Sequence, residues 1–373
     1  MRSPVLRILH VTAGNLFGGI ERMLLTIVAA QGSDCAHEVA VSFDARLAAE
    51  LRAAGRAPHV LGAARFRRPD TIWRARRALH RALTAGAYDA VICHAPWSCA
   101  LAGPTARRTG RPLFMWVHDA PQPEGWPERK IVNVPPDRFI CNSRHTEAAM
   151  TAWLPQVPRD VVHPPVLAAA VTPMTERMRI RHDLGAAPTT TVILLASRME
   201  EWKGHRVLLD AAGRLRGDVA VWVAGGAQRP TEAAYVEELS HMPAVASGRV
   251  RMLGERDDVA RLMAAADIYC QPNTSPEPFG IAFVEALAAA VPVVTTAMGG
   301  AVEIVDDTCG VLVTEPSPAR FAAALQTLID APASRAALSG AGPARARSIS
   351  DPGQRLATIR DLVRAQVERS SAA

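Results

Sequence analysis

The feature that most constrains this chain is an alternation of short β-like runs with helical stretches that is interrupted once and then begins again. In the first half, Leu6 to Val11, Glu38 to Ser42, Ala90 to His94, Leu113 to His118 and Arg138 to Asn142 read as strands, with Glu21 to Ala30 and Pro69 to Leu83 as helices between them. From His163 to Thr175 the sequence turns rich in Pro, Ala and Thr, the composition expected of a hinge. The alternation restarts with strand Thr191 to Ala196, helix His205 to Leu215 and strand Val219 to Ala224. Arg249 to Leu253, Ile268 to Gln271, Val291 to Thr295 and Gly310 to Val313 supply further strands. Strands separated by helices must run parallel, so the fold class expected is α/β. At 373 residues, 49% of them hydrophobic, the chain is long for one core and suits two. The expected division is residues 1–170, residues 171–350, and a terminal helix within 351–373 that begins near Pro352.

Composition narrows the function classes. No apolar run approaches the roughly 20 residues of a membrane span, and Arg7 breaks the hydrophobic opening, so neither a spanning nor a secreted protein is expected. Cys35, Cys93, Cys99, Cys141, Cys270 and Cys309 show no paired short spacing, which fits a reducing, cytoplasmic compartment better than a disulfide framework or a Cys-rich zinc site. Residues 1–170 carry 21 Arg and Lys against 13 Asp and Glu, whereas the remainder carries 21 against 23. The basic excess therefore lies in the first half, as an anion-binding surface or simply a solvated one. Nucleic acid fits poorly, because there is no zinc-finger spacing, no aromatic RNA-binding motif and only 5% aromatic residues. Lys130 and Lys203 are the only lysines, which singles them out in so Arg-rich a chain.

Four segments carry candidate chemistry. In SPEPFGIAFVEALAAAVPVV, Glu277 precedes a helix whose start is marked by Pro278 and Gly280, and Glu285 lies more than a turn inside it. The amides near Phe279, Gly280 and Ile281 would form a phosphate-favouring helix N-terminus, and the two carboxylates would meet hydroxyls at separate places on one ligand. In LLASRMEEWKGH, Arg198 and Lys203 flank the turn after a strand, where a forked cation and a compact one suit a diphosphate. An ordinary ion cluster with Glu200 and Glu201 is the alternative. In TAGNLFGGIERML, Gly18 and Gly19 would let backbone amides approach an anion, although the spacing departs from G-x-G-x-x-G and a plain tight turn explains it equally. His118, in FMWVHDAP, ends a buried-looking strand.

Taken in order, FGGIE, VHD, CNS, VVHPPV, SRMEEWKG, VAGG, MLGERDDV and EPFGIAFVEALA resemble glycosyltransferase family 4, a retaining family of the GT-B fold, over nearly the whole chain. The resemblance implies two Rossmann-like domains facing across a cleft, with a terminal helix returning to the first. It implies that Arg198 and Lys203 hold a donor diphosphate with amides near Gly19 and Ile281, that Glu285 binds ribose, that Glu277 binds the transferred sugar, and that His118 lies close to the reacting carbon. It further implies a nucleotide-sugar substrate, no cofactor and no required metal. Two places depart from the family pattern: Leu167 stands after HPPV where an acid is common, and the loop around Ser33 to His37 is short. Both bear on the acceptor side. A sugar-nucleotide epimerase and a non-catalytic sugar-nucleotide binding protein share the expected architecture; a dinucleotide-dependent dehydrogenase lacks its glycine fingerprint here.

The acceptor is addressed by RFRRPDTIWRARRALHRAL, where Asp70 would cap a helix running through Leu83. Ile72, Ala75, Leu79 and Leu83 gather on one face; Arg74, Arg77, His80 and Arg81 gather on the other, around Trp73. A basic face with a central Trp suits an anionic membrane surface or a lipid-linked saccharide acceptor, and equally an Arg-rich solvated face.

Overall fold

The computed structural model describes residues 5–167 and 172–372. The expected domain boundary between residues 170 and 171 lies outside them. The chain divides into two compact units, Met1–Val166 with Ser350–Ala373, and Leu167–Ile349.

The first unit is built on a seven-stranded sheet: β1 Leu6–Thr12, β2 Cys35–Val41, β3 His59–Val60, β4 Ala90–His94, β5 Leu113–Val117, β6 Arg138–Cys141 and β7 Arg159–Val161. All pairs are parallel, in the order β3-β2-β1-β4-β5-β6-β7. Every residue of β4 and β5 is buried, as expected of a parallel sheet covered on both faces. Leu9, Val11, Val91, Cys93, Leu113, Met115, Phe139 and Cys141 form one side of this core, against Ile72, Leu79, Leu83, Leu101, Ile131 and Met150 from the covering helices. The terminal helix Pro352–Ala372 belongs to this unit, where Arg360 pairs with Asp34.

The second unit has six parallel strands: β8 Thr191–Ala196, β9 Val219–Ala224, β10 Val250–Gly254, β11 Ile268–Gln271, β12 Val293–Thr296 and β13 Gly310–Val313, in the order β10-β9-β8-β11-β12-β13. Asp267, at the foot of β11, accepts from Arg177, Arg181 and the Val192 amide, tying the helix Met174–Asp183 to the start of β8. In both units the strand order reverses beside the first strand, between β1 and β4 and between β8 and β11. These are the points at whose carboxyl ends open α/β sheets bind ligands.

Several boundaries differ from the sequence reading. β2 begins at Cys35, so the short Ser33 to His37 segment is partly strand, and β5 stops at Val117, leaving His118 just beyond it. The expected cap at Asp70 is corrected: the helix runs Pro69–Ala85 with Arg68 at the cap, because proline's fixed φ suits the first helical position, and Asp70 pairs instead with Arg74. The helix Ala95–Arg108 contains Pro104 and Gly103, whose breaker character hides it in the sequence. Among the described residues no helix is long and apolar enough to cross a membrane, and all six cysteines are free and buried.

Candidate functional site

In the second unit the residues that follow β8 and β11 converge at the switch point. Glu201–Lys203 forms a single 3-10 turn, ended by Gly204 at φ 78°. A Cβ at that position would overlap the carbonyl of Pro272, so only glycine lets the turn lie this close to the residues after β11. The turn places Lys203 Nζ 2.8 Å from Glu277 Oε2. The same oxygen accepts from Asn273 Nδ2 at 2.9 Å and Gln271 Nε2 at 3.0 Å. Both side chains of the pair are nearly enclosed, 13% exposed for Lys203 and 9% for Glu277, so the ion pair is held in a region of reduced dielectric. Glu277 Oε1 accepts from none of the described residues, which leaves one carboxylate oxygen for a ligand hydroxyl. The loop bearing Glu277 is itself fixed, since Gly300 N donates to Glu277 O at 2.6 Å and Gly299, at φ 65°, packs its bare α-carbon against that peptide.

Gly280, at φ 108°, caps the helix Ile281–Ala288, with Phe283 N returning to its carbonyl at 3.0 Å. Phe279 is buried beside it, and Glu285 lies on that helix, partly exposed. Burial, followed by the charges of Glu277 and Glu285, raises the Tyr269 hydroxyl well above its usual pKa. Tyr269 stays protonated, its single O–H shared between Ala196 O at 2.9 Å and Gln271 Oε1 at 2.8 Å. Arg198 pairs with Glu200 Oε1 at 2.9 Å, and Trp202 Nε1 donates to Glu200 Oε2 at 3.1 Å. Lys203 also lies 3.8 Å from the Trp202 ring centroid. Arg198, Lys203, Glu277, Gly280, Ile281 and Glu285 thus gather at one end of one sheet. The Lys203–Glu277 contact and the supporting amides of Gln271 and Asn273 were not anticipated; the run QPN at the end of β11 is the signal that carried them.

In the first unit, Gly18 caps the helix Gly19–Ala30 and its amide donates to Glu21 Oε2 at 2.9 Å, so that donor is engaged within the helix start. Gly19 is exposed. His118 is the last of four histidines in contact: His37 Nδ1 to His10 Nε2, His10 Nδ1 to His94 Nε2, and His94 Nδ1 to His118 Nε2, each 2.9 Å. The sequence reading found only His118. A histidine within or just beyond each of four adjoining strands was the available sign. Burial lowers the pKa of all four, to about 4 for His37 and about 3 for His118, and well below the usual value for His10 and His94.

On the helix Pro69–Ala85, Ile72, Ala75, Leu79 and Leu83 are buried, and Trp73 is 61% exposed. A groove of about 900 Å³ runs beside it, lined by Phe66, Ile72 and Trp73 and by the cations Arg76, Arg77, Arg108 and Lys130. Arg77 lies over the Trp73 ring at 5.3 Å. Arg74 is instead tied to Asp70, and Arg81 lines a separate hollow with Glu38 and His59. Arg76 is committed to the fold, donating to Leu101 O at 3.0 Å and Ala100 O at 3.1 Å.

Two family models match successive parts of the chain, "Glycosyltransferase Family 4" over residues 17–167 and "Glycosyl transferases group 1" over residues 190–331. The chain belongs to glycosyltransferase family 4, and its two Rossmann-like parallel-sheet units are those of the GT-B fold. Among its relatives, a D-inositol 3-phosphate glycosyltransferase of Xylanimonas cellulosilytica is 36% identical over 52% of this chain and 46% of its own length. One of Mycolicibacterium vanbaalenii is 32% identical over 66% of this chain and 60% of its own. The chain thus spans about half the length of the curated relatives it matches. Among solved structures, Anabaena HepE in complex with UDP and glucose superposes with a TM-score of 0.86 at 24% identity, over 96% of this chain and all of that one. Sucrose-phosphate synthase of Thermosynechococcus elongatus superposes at 0.78 with 17% identity, over 98% of this chain and all of that one.

Proposed function

We propose that this protein is a retaining, metal-independent glycosyltransferase that moves a sugar from a nucleoside-diphosphate sugar, UDP- or GDP-linked, to a hydroxyl of an anionic acceptor. The observation that carries the reading is the Lys203–Glu277 pair beside Arg198 at the β8/β11 switch point, in a chain of this family. Arg198 and Lys203, with the amides at Ile281, meet the diphosphate; Glu285 meets the ribose; the open oxygen of Glu277 meets a hydroxyl of the transferred sugar. The bond that breaks joins the sugar's anomeric carbon to the phosphate oxygen, and its electron pair leaves with the diphosphate. Cations already fixed at that end of the donor stabilise the developing charge without reorganisation, as preorganised electrostatic sites do. The acceptor oxygen bonds the same face of the anomeric carbon, and its proton passes to the departing phosphate. HepE, described with UDP and glucose, supports a nucleotide-sugar donor.

For the acceptor, the relatives named for D-inositol 3-phosphate and the basic excess of the first half both favour an anion. The groove beside Trp73 fits an anion that carries an apolar portion, a lipid-linked saccharide or the headgroup layer of a membrane, and a cytoplasmic, peripheral location goes with that reading. Calorimetric titration with UDP, GDP and ADP tests the donor assignment. Saturable binding of UDP or GDP that weakens at least tenfold in Glu285→Ala supports it; absence of binding by all three contradicts it.

A further inference from the structure

The four histidines of the first unit form a stepped diagonal. Successive side chains of a strand alternate between faces, and the strand register pairs Ile8 with His37, Ile92 with His10, and Trp116 with His94. Each histidine therefore lies two residues beyond the point level with the previous one, on one face, and the series climbs from β2 through β1 and β4 to His118 past the end of β5. Ring centroids are 5.2 Å apart at each of the three steps. His10, His37 and His94 are at most 2% exposed, so no solvent shell competes with these contacts.

A neutral imidazole has one N–H and one lone pair, and its two nitrogens are distinct. Here every contact joins Nδ1 of one ring to Nε2 of the next. All four rings must then share one tautomer, because any change along the series would set two N–H groups or two lone pairs against each other in a dry environment, where an unmade hydrogen bond is costly. The far end selects which. His37 Nε2 faces Cys35 Sγ at 3.4 Å. Burial and then the Asp34 charge push the Cys35 thiol up to about 12, so it keeps its S–H; because an imidazole lone pair is a stronger acceptor than a thiol sulfur, the contact is assigned with the thiol donating to that nitrogen. Donation then runs in one direction, from Cys35 through His37, His10 and His94 into Nε2 of His118. His118 Nδ1 has no partner among the described residues.

We infer that Cys35, His37, His10 and His94 are positioning residues that lock His118 as an Nδ1–H hydrogen-bond donor, so that it offers substrate a fixed donor and not a base. The natural target is an oxygen of the bound substrate. That consequence rests on the function proposed above; the tautomer does not. The logic matches other enzymes in which a buried partner fixes a catalytic histidine's tautomer and its loss costs turnover more than binding.

Ring-nitrogen NMR of the full-length, 15N-histidine-labelled protein at neutral pH, without ligand, reads the tautomer directly. All four rings are expected to carry the proton on Nδ1; a His118 protonated on Nε2, or averaging between tautomers, overturns the inference. His10→Leu cuts the series in the middle and Cys35→Ala removes the donor that orients it. In whichever of these folds, His118 is expected to shift to Nε2–H or a mixture, with kcat lowered by roughly tenfold or more and donor KM within about twofold. An unchanged His118 tautomer in a folded variant also overturns it. Transfer activity absent from the wild type, together with the expected tautomer, would count against the proposed reaction and leave the locked donor standing.

Discussion

Lys203 and Glu277 have to be considered together, since each is the other's counter-charge. Removing the lysine leaves a buried carboxylate with only the Gln271 and Asn273 amides, and uncompensated charges of this kind cost on the order of 3 kcal/mol. Lys203→Ala is therefore expected to lower the denaturation midpoint as well as turnover, the latter by roughly 10² or more through loss of a transition-state cation. Arg198→Ala, whose partner Glu200 keeps the Trp202 donor, should lose comparable turnover with little change in stability. Urea denaturation alongside steady-state rates separates the two, and a folded double mutant with near-normal turnover would remove the diphosphate from this site. The carboxylates should divide differently. Glu285→Ala is expected to weaken nucleoside-diphosphate binding at least tenfold, whereas Glu277→Gln should bind nucleotide within about threefold of wild type yet transfer at least 10²-fold more slowly. Equal losses of nucleotide affinity in both would show the roles wrongly divided.

At the scale of elements, the histidine diagonal ties the first unit's stability to pH. The folded-state pKa values of His37 and His118 fall to about 4 and about 3, and those of His10 and His94 lie well below the usual value, while unfolded histidine titrates near ~6.5. The unfolded chain therefore binds more protons as pH drops, and the stabilisation present above about 6.5 is lost progressively toward 4 and below. Urea midpoints of the wild type should fall between pH 7 and pH 5, and fall less steeply in His10→Leu; parallel profiles would rule this coupling out. The basic groove makes a separate prediction. Arg77, Arg108 and Lys130 changed together to Glu should abolish co-sedimentation with anionic vesicles, since each surface cation contributes about 1 kcal/mol near such a surface. Arg76 is left intact because it holds the Ala100 and Leu101 carbonyls. Equal sedimentation of both proteins, or of neither, would make the groove ordinary surface.

Over the whole molecule, what the sequence disclosed and what it hid follow a physical line. Strands buried along all or nearly all of their length, such as β4, β8, β9 and β11, were legible to the residue as largely apolar runs between turn signals, as was the half-buried β13. β3 and β7, at two and three residues, are too short to show any period. Arg198, Lys203, Glu277 and Glu285 could be found because they sit next to helix-start and turn signals that are local in sequence. Their mutual contact, and the histidine series, depend on strand order and register, which join residues up to 84 positions apart. Only tertiary structure supplies those.

The chemistry proposed needs no divalent ion, because the two cations and the helix start at Ile281 carry the leaving group's charge. The most direct test is release of nucleoside diphosphate and formation of product from UDP- and GDP-sugars, with D-inositol 3-phosphate and lipid-linked saccharides as acceptors, in excess EDTA. The expected result is acceptor-dependent transfer with the donor's anomeric configuration retained, undiminished by chelation and reduced roughly 10²-fold in Arg198→Ala. An epimerised donor formed without acceptor, an inverted product, or full loss in EDTA restored by magnesium or manganese would contradict it.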